Sequence, residues 1–338
     1  MRNFAIVMKI YKNKVRLSFV AVLVVLLIAG CERAYQYQYK EGMVWNTVYH
    51  ISYKGPASLG DSISVVLDSV GKSLSVFDPS SLVSRVNASD STKVDAMFAD
   101  VYSISRKVNE ESGRRYDPTL SPLITAWGFG KGHKANTDTA RIDSIMQFVG
   151  IEKTNLSDGI LKKKDIRVQF NFSSVAKGYG CDAIARMFRR NGVTDYLIEI
   201  GGEIAVNGES PDRGKWRISV DRPIESADSE IHESQVLIEI NSGGMATSGN
   251  YRNFHDLNGV RVGHTIDRLN GRPAHTDVAS ATVIADCSAE ADAYATALMA
   301  MGYKDGRELA ERKKMPVMII LHNGNVWMSD EFKKYVTK

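Results

Sequence analysis

The chain has 338 residues, 43 Lys plus Arg against 39 Asp plus Glu, and a formal net charge of +4 at pH 7. Lys9, Lys12, Lys14 and Arg16 all fall in the first stretch of the chain, so the rest is near neutral and implies no nucleic-acid patch. Apolar residues make up 43%, enough for a packed core, and about 300 residues follow the leader, which suits one large domain or two small ones.

Leu17 to Ala29 is apolar apart from Ser18. That run is well short of the roughly 20 residues a spanning helix needs. A basic start, a short apolar run and small residues before a break describe a secretory signal. The break, Leu27-Ile28-Ala29-Gly30-Cys31, resembles a bacterial lipobox. The resemblance implies a signal peptide over 1–30, a mature chain starting at Cys31 and acyl chains on that residue. More than one chain gives stable membrane anchoring. Polar Glu32 to Lys40 reads as a tether, so 31–42 is assigned to it and 43–338 to the domain.

Met43 to Tyr53 alternates and predicts a strand. Ile63, Val66, Leu67, Val70 and Leu74 recur at helical spacing, as do Val94, Met97, Phe98, Val101, Ile104 and Val108. Ile142, Ile145, Met146 and Val149 predict a shorter helix closed by Gly150. A strand is expected over 167–172 and a helix over 175–190, ended by Asn191-Gly192. Short strands over 196–200, 203–207 and 215–220, separated by glycine-rich turns, read as a β-meander. Strands follow over 235–240, 245–248 and 278–285, then helices over 288–301 and 307–313. Asn323-Gly324 marks a hairpin between 316–321 and 326–328. Runs of adjacent strands mixed with helices predict an α+β fold, largely antiparallel, in a single domain. Cys181 and Cys287 lie in helical, apolar contexts; they could pair in an exported protein, but buried free thiols are the better reading.

Chemistry concentrates in a few segments. In Ala291-Asp292-Ala-x-Ala-Thr296 the carboxylate and hydroxyl share one helix face among small residues. They offer hard oxygen ligands to a cation such as Mg²⁺, or else form a partly solvated face. Asn171-Phe-Ser-Ser174-Val-Ala-Lys177-Gly178 runs from strand to helix, so free N–H groups and Lys177 there suit a phosphate; Ser173 or Ser174 capping the helix is compatible with that. Ile200-Gly201-Gly202-Glu203 permits close backbone approach to a ligand, or is simply a turn. Arg252 behind Thr247 and Ser248 suggests a polar ligand, and His264 near Asp267 could relay protons or be structural. Dinucleotide, P-loop, zinc and hydrolase-elbow signatures are absent.

Taken in order, Met43-x-x-Asn-Thr-Val-Tyr, Ser75-Val-Phe77-Asp-Pro-Ser-Ser, Tyr116-Asp117-Pro-Thr, Ala176-Lys177-Gly-Tyr, Gly201-Gly202, Ala246-Thr-Ser-Gly-x-Tyr-Arg, His264-x-Ile-Asp and Ala291-Asp292-Ala-x-Ala-Thr296 resemble the ApbE-type FAD:protein FMN transferases, which are periplasmic flavin transferases. The resemblance runs from Met43 to the C-terminus. It implies that FMN passes from FAD to a Thr or Ser hydroxyl of a target flavoprotein, with Mg²⁺ on the diphosphate and release of AMP. Positioning and charge neutralisation supply most of such catalysis.

The resemblance further implies Mg²⁺ ligation by Asp292, Thr296 and the backbone carbonyl of Ser174. It implies FAD contacts at Met43, Phe77, Arg115, Tyr116, Asp117, Asn171, Lys177 and Ile266, with Phe77 or Tyr116 stacking on a ring of FAD. His264 is the candidate for activating the acceptor. The protein would be lipid-anchored in the bacterial cell envelope, facing the periplasm from the inner membrane. Phe77 stands where Tyr is common, Arg115 where a small residue is usual and Asn171 where Asp is frequent. Arg268 and Asn270 replace the Pro and Thr of the His-x-Ile-Asp turn, and Ala295 replaces a second carboxylate. A pyrophosphatase that uses water as acceptor, or a non-catalytic flavin-binding lipoprotein, remains open on sequence grounds.

Overall fold

The alternating run that begins at Met43 folds back on itself. β1 (Tyr37–Val44) and β2 (Thr47–Lys54) pair antiparallel from Tyr37↔Lys54 to Val44↔Thr47. Trp45 and Asn46 form the two-residue turn with φ of 51° and 61°, the left-handed pair that hairpins of this length require. The predicted single strand is therefore a hairpin. The predicted tether also ends early, because Tyr37 to Gly42 belong to the sheet. β1 was illegible because it is an edge strand, held by its ladder to β2 more than by buried side chains. The computed structural model describes residues 35–129, 138–223, 234–249, 254–257, 260–263, 265–274 and 276–337. Tyr37–Lys338 forms one compact unit.

The chain continues through α1 (Leu59–Leu74), α2 (Leu82–Asn87), β3 (Ser91–Lys93), α3 (Ala96–Glu111), α4 (Ser121–Ala126), α5 (Thr139–Met146), β4 (Thr154–Ser157) and β5 (Ile160–Lys163). Next come α6 (Ala176–Arg190), β6 (Tyr196–Ile200), β7 (Glu203–Asn207), β8 (Trp216–Asp221), β9 (Ser234–Ile240) and β10 (Ser242–Gly249). Four short strands follow: β11 (Phe254–Leu257), β12 (Val260–Gly263), β13 (Ile266–Asp267) and β14 (Arg272–Pro273). β15 (Val278–Ala285), α7 (Ser288–Lys313), β16 (Val317–Leu321), β17 (Val326–Met328) and α8 (Asp330–Lys333) complete it. The two helices predicted over 288–301 and 307–313 are both present within Ser288–Lys313, separated at Gly302, whose φ of 77° and ψ of 174° are not helical.

The main sheet has eight strands in the order β1-β2-β6-β7-β10-β15-β16-β17, every neighbour antiparallel. This is the α+β architecture the sequence predicts. The predicted meander fails at its third strand. β8 pairs with β9 in a separate ribbon, and β10 takes the place beside β7. The reason is burial on both faces. Alternate residues Ile204, Val206, Met245, Ile284 and Ile320 pack on Trp216, Ile218 and Ile238 of the ribbon. Their neighbours Ala246, Val283 and Ile319 pack on the helices. A sheet covered on one side by helices needs something apolar on the other, and the β8–β9 ribbon supplies it.

The strand predicted over 167–172 is also absent. Only Gln169 makes a bridge there, to Leu120. Val168, Phe170 and Phe172 are fully buried, which produces the strand-like pattern. The Asn87 side chain takes the strand partner's place: its Oδ1 accepts the Phe170 N–H at 2.7 Å and its Nδ2 donates to the Phe170 carbonyl at 2.9 Å. Cys181 and Cys287 are both free thiols, Cys181 fully buried and Cys287 half-buried.

Candidate functional site

Two helix N-termini meet at the sheet. Gly178, in the first turn of α6, packs against the start of α7; a Cβ there would clash with the Ser288 carbonyl. Only glycine lets the helices approach this closely. Each helix start then borrows an acceptor from the other. The Gly178 N–H donates to Asp292 Oδ2 at 3.1 Å, while the Ser288 and Ala289 N–H groups donate to the two Asp182 oxygens at 2.9 Å each. These are orphan donors of a first turn, and carboxylates are well matched to that end of the helix dipole. Neither Ser173 nor Ser174 caps α6. Its N-cap is Val175, and the Ser174 hydroxyl donates instead to Tyr116 Oη at 3.2 Å.

Beside this junction sit two buried carboxylates and one ammonium. Asp292 and Glu203 are each 3% exposed, and Lys177 Nζ contacts Glu203 Oε2. Burial pushes Glu203 up to about 8; Lys177 pulls against that and Asp292 adds to it. Burial likewise raises the Asp292 carboxyl, opposed by Lys177 and by the Gly178 N–H. Burial alone would lower Lys177, but Glu203 and Asp292 together hold it above its ordinary value. The cluster thus carries one more acid than base. Thr296, one turn on from Asp292, meets Ser248 of β10 with their hydroxyls 3.2 Å apart.

Among the described residues no group of three or more His, Cys, Asp or Glu could hold a metal by itself. What the cluster offers, among the described residues, is a buried carboxylate bonded through one oxygen and a nearby hydroxyl. Hard oxygens in small number suit Mg²⁺, which keeps several waters and takes others of its ligands from phosphate. The donor set does not suit zinc. A cavity of about 670 Å³ adjoins the Asp182 side of the same junction, lined by Asp182, Cys287, Tyr179, Arg186, Asn207 and Gly243; neither Lys177 nor Asp292 lines it.

The model of the ApbE family matches residues 45–320. The chain belongs to the ApbE family. It is 32% identical to the FAD:protein FMN transferase of Vibrio cholerae, over 94% of this chain and 98% of that one. It is 30% identical to the FAD:protein FMN transferase of Escherichia coli K12, over 87% of each. The solved flavin transferase ApbE from Vibrio cholerae superposes with a TM-score of 0.79 at 30% identity, covering 89% of this chain and 99% of that one. The ApbE protein of Thermotoga maritima gives the same TM-score at 25% identity, covering 90% and 100%.

Set beside the residues expected for this family, the structure gathers some and disperses others. Ser174, Lys177, Asp292 and Thr296 all lie at the α6–α7 junction or on the α7 turn beyond it. Met43 and Phe77 are exposed at 76% and 69%, open to a flat ligand. Tyr116 is not: its ring is enclosed in the core, so of the two stacking candidates only Phe77 presents a face. Burial pushes the Tyr116 phenol up to about 12, and its hydroxyl links Ser105 to Ser174.

Asp117 is likewise internal. It accepts the Thr119 N–H and hydroxyl, the Ile151 N–H and the Asn109 amide, which makes it a fold-holding hub. Burial raises its carboxyl despite these donors. Ile266 packs among Leu123, Trp127 and Ile142, so its side chain faces the core. Arg115 pairs with Asp267 at 3.0 Å and Asp305 at 3.3 Å. Asn171 turns its Oδ1 to the Ser173 N–H.

His264 and Arg252 lie outside the described residues. Asp267, read as a partner for His264, accepts the Leu269 N–H and the Asn270 amide in its own turn. Sequence reading missed Asp182 and treated Glu203 only as part of a glycine turn. A signal existed for Glu203: it opens a strand whose next residues, Ile204, Ala205 and Val206, are apolar on both faces, where a lone acid needs a partner.

Proposed function

We propose that this chain is an Mg²⁺-dependent FAD:protein FMN transferase that modifies a Thr or Ser hydroxyl of a target flavoprotein. The acceptor oxygen attacks the FMN phosphorus, the bond from that phosphorus to the bridging oxygen breaks, the hydroxyl proton is lost and AMP leaves. The observation that carries this reading is the Asp292–Lys177–Glu203 cluster at the joined helix starts, in a chain aligned almost end to end with relatives named for the reaction.

Each group has a task. Lys177 stands at an N-terminal helix turn, where charge and dipole both favour a diphosphate. Phe77 offers an open ring for stacking. Asp292, Thr296 and the Ser174 carbonyl would hold Mg²⁺, which when bound neutralises charge developing on the phosphoryl oxygens. His264 is the candidate for taking the acceptor's proton. On the same reading Cys31 is the lipidated N-terminus of a periplasm-facing protein at the inner membrane, supported by the lipobox pattern ending at Cys31.

The test is incubation with FAD, Mg²⁺ and a purified acceptor flavoprotein, with AMP and protein-bound flavin quantified together. Equal amounts of both are expected. AMP without bound flavin would mean that water is the acceptor, and FAD binding without AMP would mean a binding protein. Fatty-acid labelling that survives Cys31→Ser would remove the anchor.

A further inference from the structure

Glu203 has no role in the reaction as so far described, yet it is a carboxylate sealed at the head of β7. Its charged partner among the described residues is Lys177. The Lys177 ammonium also feels Asp292, but it is Glu203 that it touches. Among the described residues, Asp292 in turn is bonded through Oδ2 alone, by the Gly178 N–H. Two buried acids therefore compete for one base, and the geometry records which wins. Were Glu203 neutral, Asp292 would be the one buried anion left near the ammonium. Attraction at low dielectric would then draw the ammonium onto it.

We propose that Glu203 is a positioning residue that keeps the Lys177 ammonium off Asp292, so that the second Asp292 oxygen stays open to a divalent cation. The proposal rests on the reading of this junction as an Mg²⁺-assisted flavin-transfer site. It assigns Glu203 no contact with substrate. Partners of this kind, one step removed from the metal, typically change metal affinity by about 10- to 100-fold when lost.

The experiment measures Mn²⁺ binding to the mature chain with saturating FAD, read from the free-ion EPR signal, with AMP release in Mg²⁺ and a purified acceptor flavoprotein followed separately. Glu203→Gln is expected to weaken Mn²⁺ binding by about tenfold or more. Glu203→Asp, which keeps the charge, is expected to weaken it less. Lys177→Met serves as the reference background, because it removes the ammonium that Glu203 is proposed to hold. In the Lys177→Met background, Glu203→Gln is expected to cost nothing further, since the two residues act as one unit.

Parent-like Mn²⁺ binding in Glu203→Gln overturns the proposal, as does an undiminished Glu203→Gln effect in the Lys177→Met background. If Glu203→Gln does not fold, Glu203→Met, which also removes the charge, is read in its place: weaker Mn²⁺ binding supports the proposal and parent-like binding overturns it. A parent that releases no AMP but shows the Glu203-dependent Mn²⁺ shift sinks the transferase reading alone. A parent that releases AMP without that shift sinks this proposal alone.

Discussion

Asp182 and Asp292 exchange places as helix caps. Asp182 belongs to α6 and closes the start of α7; Asp292 belongs to α7 and closes the first turn of α6. The two carboxylates differ in one respect that matters for function. Asp182 spends both oxygens on N–H groups, whereas Asp292 spends one. One is structural, and the other retains a free acceptor.

Asp182→Asn should therefore destabilise the fold. An amide presents one acceptor and one NH₂ to two N–H donors, so a buried donor is left unmet at a cost of about 1–3 kcal/mol. Urea unfolding should show a lower midpoint with an unchanged slope. An unchanged midpoint would mean that water replaces the lost cap.

Asp292→Asn should do the reverse. The amide still accepts the Gly178 N–H, and a carboxylate held against burial is gone, so stability should hold or rise. AMP release from FAD should nevertheless fall by at least about 100-fold, the scale on which lost charge stabilisation acts. A stability–activity exchange of this kind is the mark of a functional site. Loss of both stability and activity would make Asp292 a plain cap.

Phe77→Ala should weaken FAD binding without touching the fold. The ring is 69% exposed, so its removal leaves no cavity and unfolding should shift by less than about 0.5 kcal/mol. Losing an aromatic face costs about 1 kcal/mol, roughly a fivefold rise in Kd by flavin fluorescence. Equal FAD affinity in parent and variant would remove Phe77 from the site.

Glu111→Gln should flatten the acid limb of the stability curve. Burial alone would raise the Glu111 carboxyl, but Lys313, 2.6 Å away, and the Tyr294 hydroxyl outweigh it and hold the group below its usual 4.5. A depressed carboxylate contributes stability in full above the unfolded value and loses it as pH falls through the folded one. The parent should exceed the variant by about 0.5–1 kcal/mol at neutral pH, the gap closing below about pH 4.5. Urea midpoints at pH 7 and pH 3 would check the sign; a gap that widens in acid contradicts the pairing.

Where local pattern met local need, the sequence was sufficient. The amphipathic spacing of Ile63, Leu67, Val70 and Leu74 gives α1 because one helix face is buried. Asn323-Gly324 marks the β16–β17 hairpin because such turns need left-handed backbone. The sharing of one helix face by Asp292 and Thr296 is likewise a matter of 3.6 residues per turn. Phe170 and Phe172 misled for the same local reason: burial mimics a strand, and only the Asn87 side chain, 83 residues away from Phe170, reveals what satisfies the backbone.

The rest is decided by which surfaces meet. No periodicity in 196–221 says that β8 leaves the sheet to cover its far face, because that depends on what the face still lacks once the helices are in place. The family resemblance made Tyr116 a stacking candidate and local sequence left Glu203 within a turn; packing turned the first into a hydrogen-bond relay and set the second against Lys177. Local sequence fixes the conformation each segment prefers, since the interactions responsible span a few residues. Which charges must share a dry space is set by long-range packing, and the chemistry of this site follows from that.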